Sequence, residues 1–345
     1  MARTHSLITV CAVGFVGTVA AVLTLSGCSA TGDGGQDESS VTLVTHDSFG
    51  LSEGLLESFE EETGLTVKVV QPGDGGALVN QLVLTKDAPL GDLVFGIDNS
   101  FASRAVDEGV VAPTEAPDAF EDALVPVDYG DVCINVDHTW FAAQGLAEPV
   151  TLEDLTKPEY KDLLVVPNAV TSSPGLSFLL ATVGAFGEDG WVDYWTALKA
   201  NGLKVADGWS DAYSTDFSGG GGGGPRPIVL SYASSPPYTV PEGGTEPTTG
   251  ALLDTCFRQT EYAGVLQGAA NPEGGQKLVD FLLSDEVQDD IPVSMYMYPV
   301  SPSATLPEEW TQFAPLATDP FEVAPEDISK NREAWLALWS ETVIG

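Results

Sequence analysis

The stretch "GWSDA" (208–212) comes within one residue of the G-x-S-x-G elbow that exposes a nucleophilic serine, with Ala212 in place of the second glycine. In hydrolases built on that elbow the histidine follows the serine, whereas His46 and His138 both precede Ser210. Convergent triads use other orders, so an exported hydrolase stands as an alternative from another class and not as the leading reading. Metal chemistry has little to work with, because His46, His138, Cys133 and Cys256 show none of the short spacings of a zinc site. Ferric iron, held by tyrosinate oxygens, would draw on Tyr296 and Tyr298 in "MYMYPV". Residues two apart on a strand share a face without being adjacent donors, so wall or core aromatics is the preferred reading of that pair. The run Gly219 to Gly224 lacks the Gly-Lys-Ser/Thr of a phosphate loop and reads as a flexible hairpin insertion.

Aromatic rings are the stronger signal. Trp209, Tyr213, Tyr232, Tyr238 and Tyr296 lie in "GWSDAY" (208–213), "LSYASSPPYT" (230–239) and "MYMYPV" (295–300), beside the Gly, Pro, Ser and Met of loops and strand ends. Rings so placed suit a flat, electron-poor or cationic guest, held by stacking and by cation–π attraction of ~0.5–2 kcal/mol per good contact.

The elements that must present these rings alternate between strand and helix. "VTLVTHDSF" (41–49) begins as an alternating strand and meets polar residues at His46. "SEGLLESFEEETG" (52–64) spaces Leu55, Leu56 and Phe59 as a helix and stops at Gly64; "LTVKVV" (65–70) is a second strand. A helix over 77–86, the strand "DLVFGID" (92–98) and a helix over 100–108 complete an α/β lobe with a largely parallel sheet. Ligands of such sheets gather at strand carboxyl ends, which sets His46 to Phe49, Pro72 to Gly76 and Asp98 to Asn99 around one rim. "VPVDYGDVCINVD" (125–137) is a long extended crossover into a second lobe, where "DLLVVPN" (162–168), "SFLLATVGAF" (177–186) and "WVDYWTALKA" (191–200) restart the pattern. "GALLDTCFRQTEYAGV" (250–265) is the return crossover, followed by a helix over 273–288. If the two crossovers run side by side, Cys133 and Cys256 come within reach of a disulfide.

Arg3 and His5 lead into the uncharged run Leu7 to Leu25, which reads either as an export leader over 1–27 or as a membrane span. "LSGC" (25–28) resembles a bacterial lipobox, which favours the leader and makes Cys28 the lipidated residue. Residues 28–40 are then a polar, Gly-rich tether. Loss of Arg3 with the leader leaves 12 basic against 51 acidic side chains, a formal balance of −39. Such a surface excludes nucleic acid and an anionic membrane face as partners and suits a solvated, salt-tolerant protein.

Eight segments in order, "THDSF", "GDGG", "GIDNS", "VPVDYG", "TSSPG", "GWSDAY", "LSYASSPPY" and "MYPV", resemble the substrate-binding proteins of thiamine ABC importers across the whole domain after the tether. The resemblance implies a type II periplasmic-binding-protein-like α/β fold, two lobes joined by crossing hinge strands. Lobe 1 would take 41–128 plus about 258–300 and lobe 2 would take 129–257 plus about 301–345. It implies a monomeric, non-enzymatic protein without a cofactor, lipid-anchored at the outer face of the bacterial cytoplasmic membrane. Such a protein captures thiamine or thiamine phosphate and delivers it to the permease's transmembrane subunits. A ferric-iron or other small-cation binder is the alternative within binding proteins. By the same resemblance Asp74 and Gly75 hold the aminopyrimidine, Ser172 and Ser173 face the hydroxyethyl or phosphate end, Trp209 stacks, and Tyr232, Ala233, Ser234 and Ser235 form a contact run with Tyr238 as a further ring. His46 stands where the family commonly has tyrosine, and Tyr296 where tryptophan is found. No Lys or Arg occurs in 171–175 or 231–238, so a phosphate there would rest on hydroxyls, backbone N–H groups and a helix N-terminus. The lipobox reading is checked by fractionation: Cys28→Ala should release the protein from membranes, and unchanged partition would favour a spanning segment.

Overall fold

The computed structural model describes residues 39–345; the expected leader, Cys28 and nearly all of the tether lie outside the described residues. The first lobe is built by β1 (Ser40–Thr45), α1 (Leu55–Thr63), β2 (Thr66–Val70), α2 (Gly75–Leu84), β3 (Leu93–Asp98) and α3 (Ala102–Asp107). The second follows the crossover β4 (Val125–Asp137) with α4 (His138–Gln144), β5 (Leu164–Pro167), α5 (Ser173–Ala200), β6 (Lys204–Ala206) and β7 (Ile228–Tyr232). The chain returns along β8 (Thr249–Val265) and ends with α6 (Pro272–Leu282), α7 (Asp285–Ser294), β9 (Tyr298–Pro299), α8 (Glu308–Phe313) and α9 (Pro325–Trp339).

Among the described residues all nine strands belong to one sheet in the order β2-β1-β3-β8-β4-β7-β5-β6, with β9 also on β4. β1 pairs parallel with β2 and β3, and β5 pairs parallel with β6 and β7, as βαβ units require. The two lobes share the antiparallel pair β4–β8, registered from Val125↔Ala263 to Asp137↔Thr249. β4 uses its other edge twice, against β9 at Asp128 and Tyr129 and against β7 from Val132 to Val136. This long pair is the crossing-strand hinge expected of the type II periplasmic-binding-protein-like architecture. The apolar faces bury Val44, Leu78, Val94 and Phe101 in one lobe and Phe178, Trp195, Leu230 and Trp339 in the other, all at most 1% exposed.

Several local differences have physical causes. α5 begins at Ser173, not 177, because Ser172 caps it, its hydroxyl accepting from Gly175 N–H at 3.3 Å, and Pro174 sits in the first turn where its missing N–H costs nothing. The separate segments 177–186 and 191–200 are the two helical halves of α5, parted by a kink at Gly187, whose φ of 67° only glycine adopts freely. The helix expected over 273–288 is two helices, since Ser284 caps α7 through Val287 N–H. The glycine run is not a free hairpin. A Cβ at Gly220 or Gly222 would stand 1.9 Å from the Tyr213 or Ser214 carbonyl oxygen, so the run is a strap that lies against the turn 211–216. The terminal helix α9 packs on both lobes: Arg332 lies 6.0 Å from the Phe101 ring centroid and Trp339 packs edge-on to Trp195 at 5.5 Å. We therefore propose the lobe limits given above with α9 as a shared brace.

Cys133 and Cys256 are joined by a disulfide with Cα atoms 4.2 Å apart. The bond sits where the β4–β8 register shifts between Val132/Phe257 and Ile134/Leu252, and it ties down the bulged stretch of β8. Closing a separation of 123 residues restricts the unfolded chain, so the double variant Cys133→Ala/Cys256→Ala should lose about 2–4 kcal/mol of stability. Urea unfolding of the oxidised protein and the variant reads this, and coincident midpoints would contradict it.

Candidate functional site

The lobes meet at Asp74. It is the N-cap of α2, and its Oδ1 accepts from the N–H of Gly75 at 2.6 Å. Across the cleft the same oxygen accepts from Ser173 N–H at 3.1 Å, and Oδ2 accepts from Trp209 N–H at 2.9 Å. One carboxylate thus serves the N-termini of α2 and α5, where dipoles favour negative charge. Burial pushes its carboxyl up, and the Trp209 N–H, the Ser172 hydroxyl and the N–H groups of Gly75 and Ser173 act against that. Beside it Ala77 N–H donates to the Thr171 carbonyl at 2.9 Å, and the hydroxyls of Ser48 and Ser210 meet at 3.3 Å. The closeness explains the glycines of "GDGG": a Cβ on Gly75 would lie 1.9 Å from Ser173 Oγ, and one on Gly76 would lie 2.7 Å from the Thr171 carbonyl carbon. The cleft is closed.

Behind the clasp lies a cavity of about 260 Å³. The turn 211–216 is a π-type helix, which sets Trp209 and Tyr213 in a stack with centroids 5.1 Å apart and 16° between planes. Trp209 Nε1 donates to Ser231 Oγ at 2.9 Å, and Tyr232 meets the indole edge-on at 6.3 Å. The facing wall holds Tyr238 and Tyr296, edge-on at 5.4 Å, with Met295 and Met297 alongside. Tyr296 takes a left-handed φ of 56°, an uncommon backbone for a bulky residue and frequent at ligand clamps.

Charge enters through Glu261, His46 and Asp74; among the described residues no Lys or Arg lines this cavity. Glu261 stands directly opposite Asp128 in the β4–β8 register, and both are buried. Neither Asp128 oxygen has a conventional donor, so the Glu261 carboxyl is its partner, and two carboxyls bond only through a shared proton. Burial, then the Glu261 charge, raise Asp128 well above the carboxylate range. Glu261 is held below its usual range: burial works against its charge, but His46 and hydrogen bonds from Asp128 and Gln259 prevail. Gln259 Nε2 donates to Glu261 Oε1 at 3.0 Å, and His46 Nε2 faces Oε2 at 3.6 Å, an ion-pair distance and too long for a hydrogen bond. Burial lowers the imidazole, and the carboxylates of Glu261, Asp74 and Asp47 outweigh it and raise it.

Of the residues named from the sequence, His46, Asp74, Gly75, Ser173, Trp209, Tyr232, Ser235, Tyr238 and Tyr296 line this one cavity. Ser172, Ala233 and Ser234 do not line it: Ser172 caps α5, Ala233 packs beside the disulfide, and Ser234 donates to the Tyr296 carbonyl. Tyr298 turns away, its hydroxyl donating to the Ala314 carbonyl, so it offers no second phenol oxygen beside Tyr296. Ser210 is paired with Ser48, and among the described residues no histidine hydrogen-bonds to it. Sequence reasoning missed Glu261; Tyr213, named there among the wall rings, also lines the cavity. Glu261 had a readable signal, because Phe257, Gln259, Glu261 and Ala263 form the inward phase of β8 and a glutamate there is out of place in a core.

Comparison with known proteins bears on the fold and the family. The chain is 29% identical over 316 residues to the thiamine-binding periplasmic protein of Escherichia coli (strain K12), covering 88% of this chain and 93% of that one. Its fold matches a solved periplasmic thiamin binding protein with a TM-score of 0.77 at 27% identity, over 88% of this chain and 96% of the other. Iron-bound HitA from Pseudomonas aeruginosa, at 20% identity and a TM-score of 0.70 over 88% and 99% of the chains, shares the fold. Residues 88–319, most of the two lobes and both crossovers, match the family described as bacterial extracellular solute-binding protein, and the chain belongs to that family.

Proposed function

We propose that this chain is the extracytoplasmic capture component of an ABC importer and that its cleft takes thiamine or a thiamine phosphate. The observation that carries the reading is the pairing of aromatic walls with a buried carboxylate in a cavity lined by no Lys or Arg among the described residues. Thiamine is flat in both rings and permanently cationic at one, which suits stacking and cation–π contact together. The relatives that bear the name thiamine-binding support the same guest.

Trp209, backed by Tyr213 and met by Tyr232, is the stacking surface, and Tyr238 and Tyr296 close over the opposite side. Ser173 and Ser235 supply hydroxyls for the hydroxyethyl or phosphate end. Asp74, which the resemblance sets on the aminopyrimidine and which lines the cavity, has a further role in closure. Both of its oxygens already accept backbone N–H groups, two of them from the opposite lobe, so it holds the closed state and leaves the guest's charge to another group. Lipid on Cys28, a monomeric state and delivery to the permease's transmembrane subunits complete the proposal. The ferric-iron reading loses its second tyrosinate to the Ala314 contact.

Calorimetric titration should show binding of thiamine and of its monophosphate without a steep preference for the diphosphate, since no Arg clamp is present in the lining. Trp209→Ala removes stacking and cation–π contact of about 1–3 kcal/mol and should weaken binding roughly tenfold or more. No heat with either ligand, or unchanged affinity in the variant, would overturn the proposal. Asp74→Asn keeps the shape but turns an amide NH₂ toward backbone donors, so the closed state should lose charge-assisted bonds of about 1.5–3 kcal/mol each. Small-angle scattering should then give a larger radius of gyration than for the wild type, and superimposable profiles would rule out the clasp.

A further inference from the structure

The interior of the cleft holds a charge arrangement that stacking does not use. β4 and β8 set Asp128 and Glu261 side by side in register, both buried, with neither Asp128 oxygen facing an N–H or O–H donor. One shared proton leaves the pair with a single negative charge. His46, at the end of β1, faces Glu261 Oε2 at 3.6 Å, and its Nε2 is buried without a hydrogen bond. The other groups facing this pair are Asp47 from the same loop, Asp74 at the start of α2, Asp98 at the end of β3 and Tyr232 from β7. Asp74 is taken up by three backbone N–H groups, and Asp98 Oδ1 accepts from Ser100 and from Phe101 N–H. In the cavity wall, His46 and Glu261 therefore balance each other.

A cation arriving in this space finds its natural counter-charge already paired. If His46 kept its proton, the imidazolium and the guest's positive charge would face the same Glu261 carboxylate and repel one another in a desolvated cavity, which is costly. Neutrality is restored when the imidazole gives its proton to solvent and the guest takes its place.

We infer that Glu261 is the counter-charge of the captured cation and that the guest displaces the His46 imidazolium from it, so that closing the cleft on thiamine releases one proton to solvent. The inference rests on the thiamine reading above and deepens it. Protons and guest compete, so affinity is highest above the titration of His46 and falls below it. Linkage of one proton sets the slope at up to about tenfold per pH unit.

The test is calorimetry of the purified protein with thiamine at neutral pH in phosphate and in Tris, which differ in ionisation heat, together with affinities from pH 5.5 to 8.5. The expected result is a buffer-dependent heat that corresponds to release of up to one proton, with affinity falling toward acid pH. His46→Phe should still bind but with a flatter pH profile, which separates His46 from Asp98, whose carboxyl burial pushes up to about 6. Glu261→Gln should weaken binding at least about tenfold. Thiamine binding by the wild type with equal heats in both buffers, or an unchanged pH slope in His46→Phe, would overturn the inference while leaving the thiamine reading intact. Absence of any thiamine binding by the wild type would overturn that reading and the inference with it.

Discussion

The register of β4 against β8 is the constraint on which the other features depend. Among the described residues it is the one strand pairing that runs through both lobes, and it sets three things at once: the hinge, the position of the Cys133–Cys256 bond at the bulge, and the placement of Asp128 beside Glu261. Like charges directly opposite one another destabilise an antiparallel pair. A shared proton removes that cost and leaves one charge facing the cavity. A slip of one residue would turn one of the two carboxyls to the other face of the sheet and break up the pair.

The cleft holds two carboxylates with different surroundings. Asp74 is saturated by backbone N–H groups at two helix N-termini, so its charge is spent on joining the lobes. Glu261 is met by one side-chain amide, one imidazole and a neutral acid, partners that rearrange without breaking secondary structure. The aromatic walls add area and orientation. They do not distinguish a cation from a neutral ring as strongly as a buried carboxylate does.

Much of this was legible in the sequence, for reasons of periodicity. The strand–helix alternation of residues 41–108 and the thirteen-residue run Val125–Asp137 are local patterns, and the strand occupies that run from end to end. The rings of "GWSDAY", "LSYASSPPYT" and "MYMYPV" converge because loops at strand ends share one rim. What stayed hidden depends on contacts between distant segments. The need for glycine at Gly75 comes from Ser173, 98 residues away in the chain and on the other lobe. The glycines at 220 and 222 are required by carbonyls of the neighbouring turn and not by flexibility. Asp74 looked like a free acceptor because its backbone partners leave no trace in side-chain identity. Glu261 was readable only as a glutamate in the inward phase of β8, a signal that acquires meaning once Asp128 is known to lie opposite.

The central claim is that a cation in the cleft replaces His46 as the partner of Glu261. The protein has three histidines, His5, His46 and His138, so imidazole ¹⁵N resonances are few and assignable. ¹⁵N NMR during a thiamine titration near neutral pH should move His46 from the imidazolium to the neutral imidazole pattern while His138, whose Nδ1 is hydrogen-bonded to Glu148 at 2.8 Å, away from the cavity, stays unchanged. Saturation with thiamine that leaves the His46 nitrogens unmoved would contradict the account.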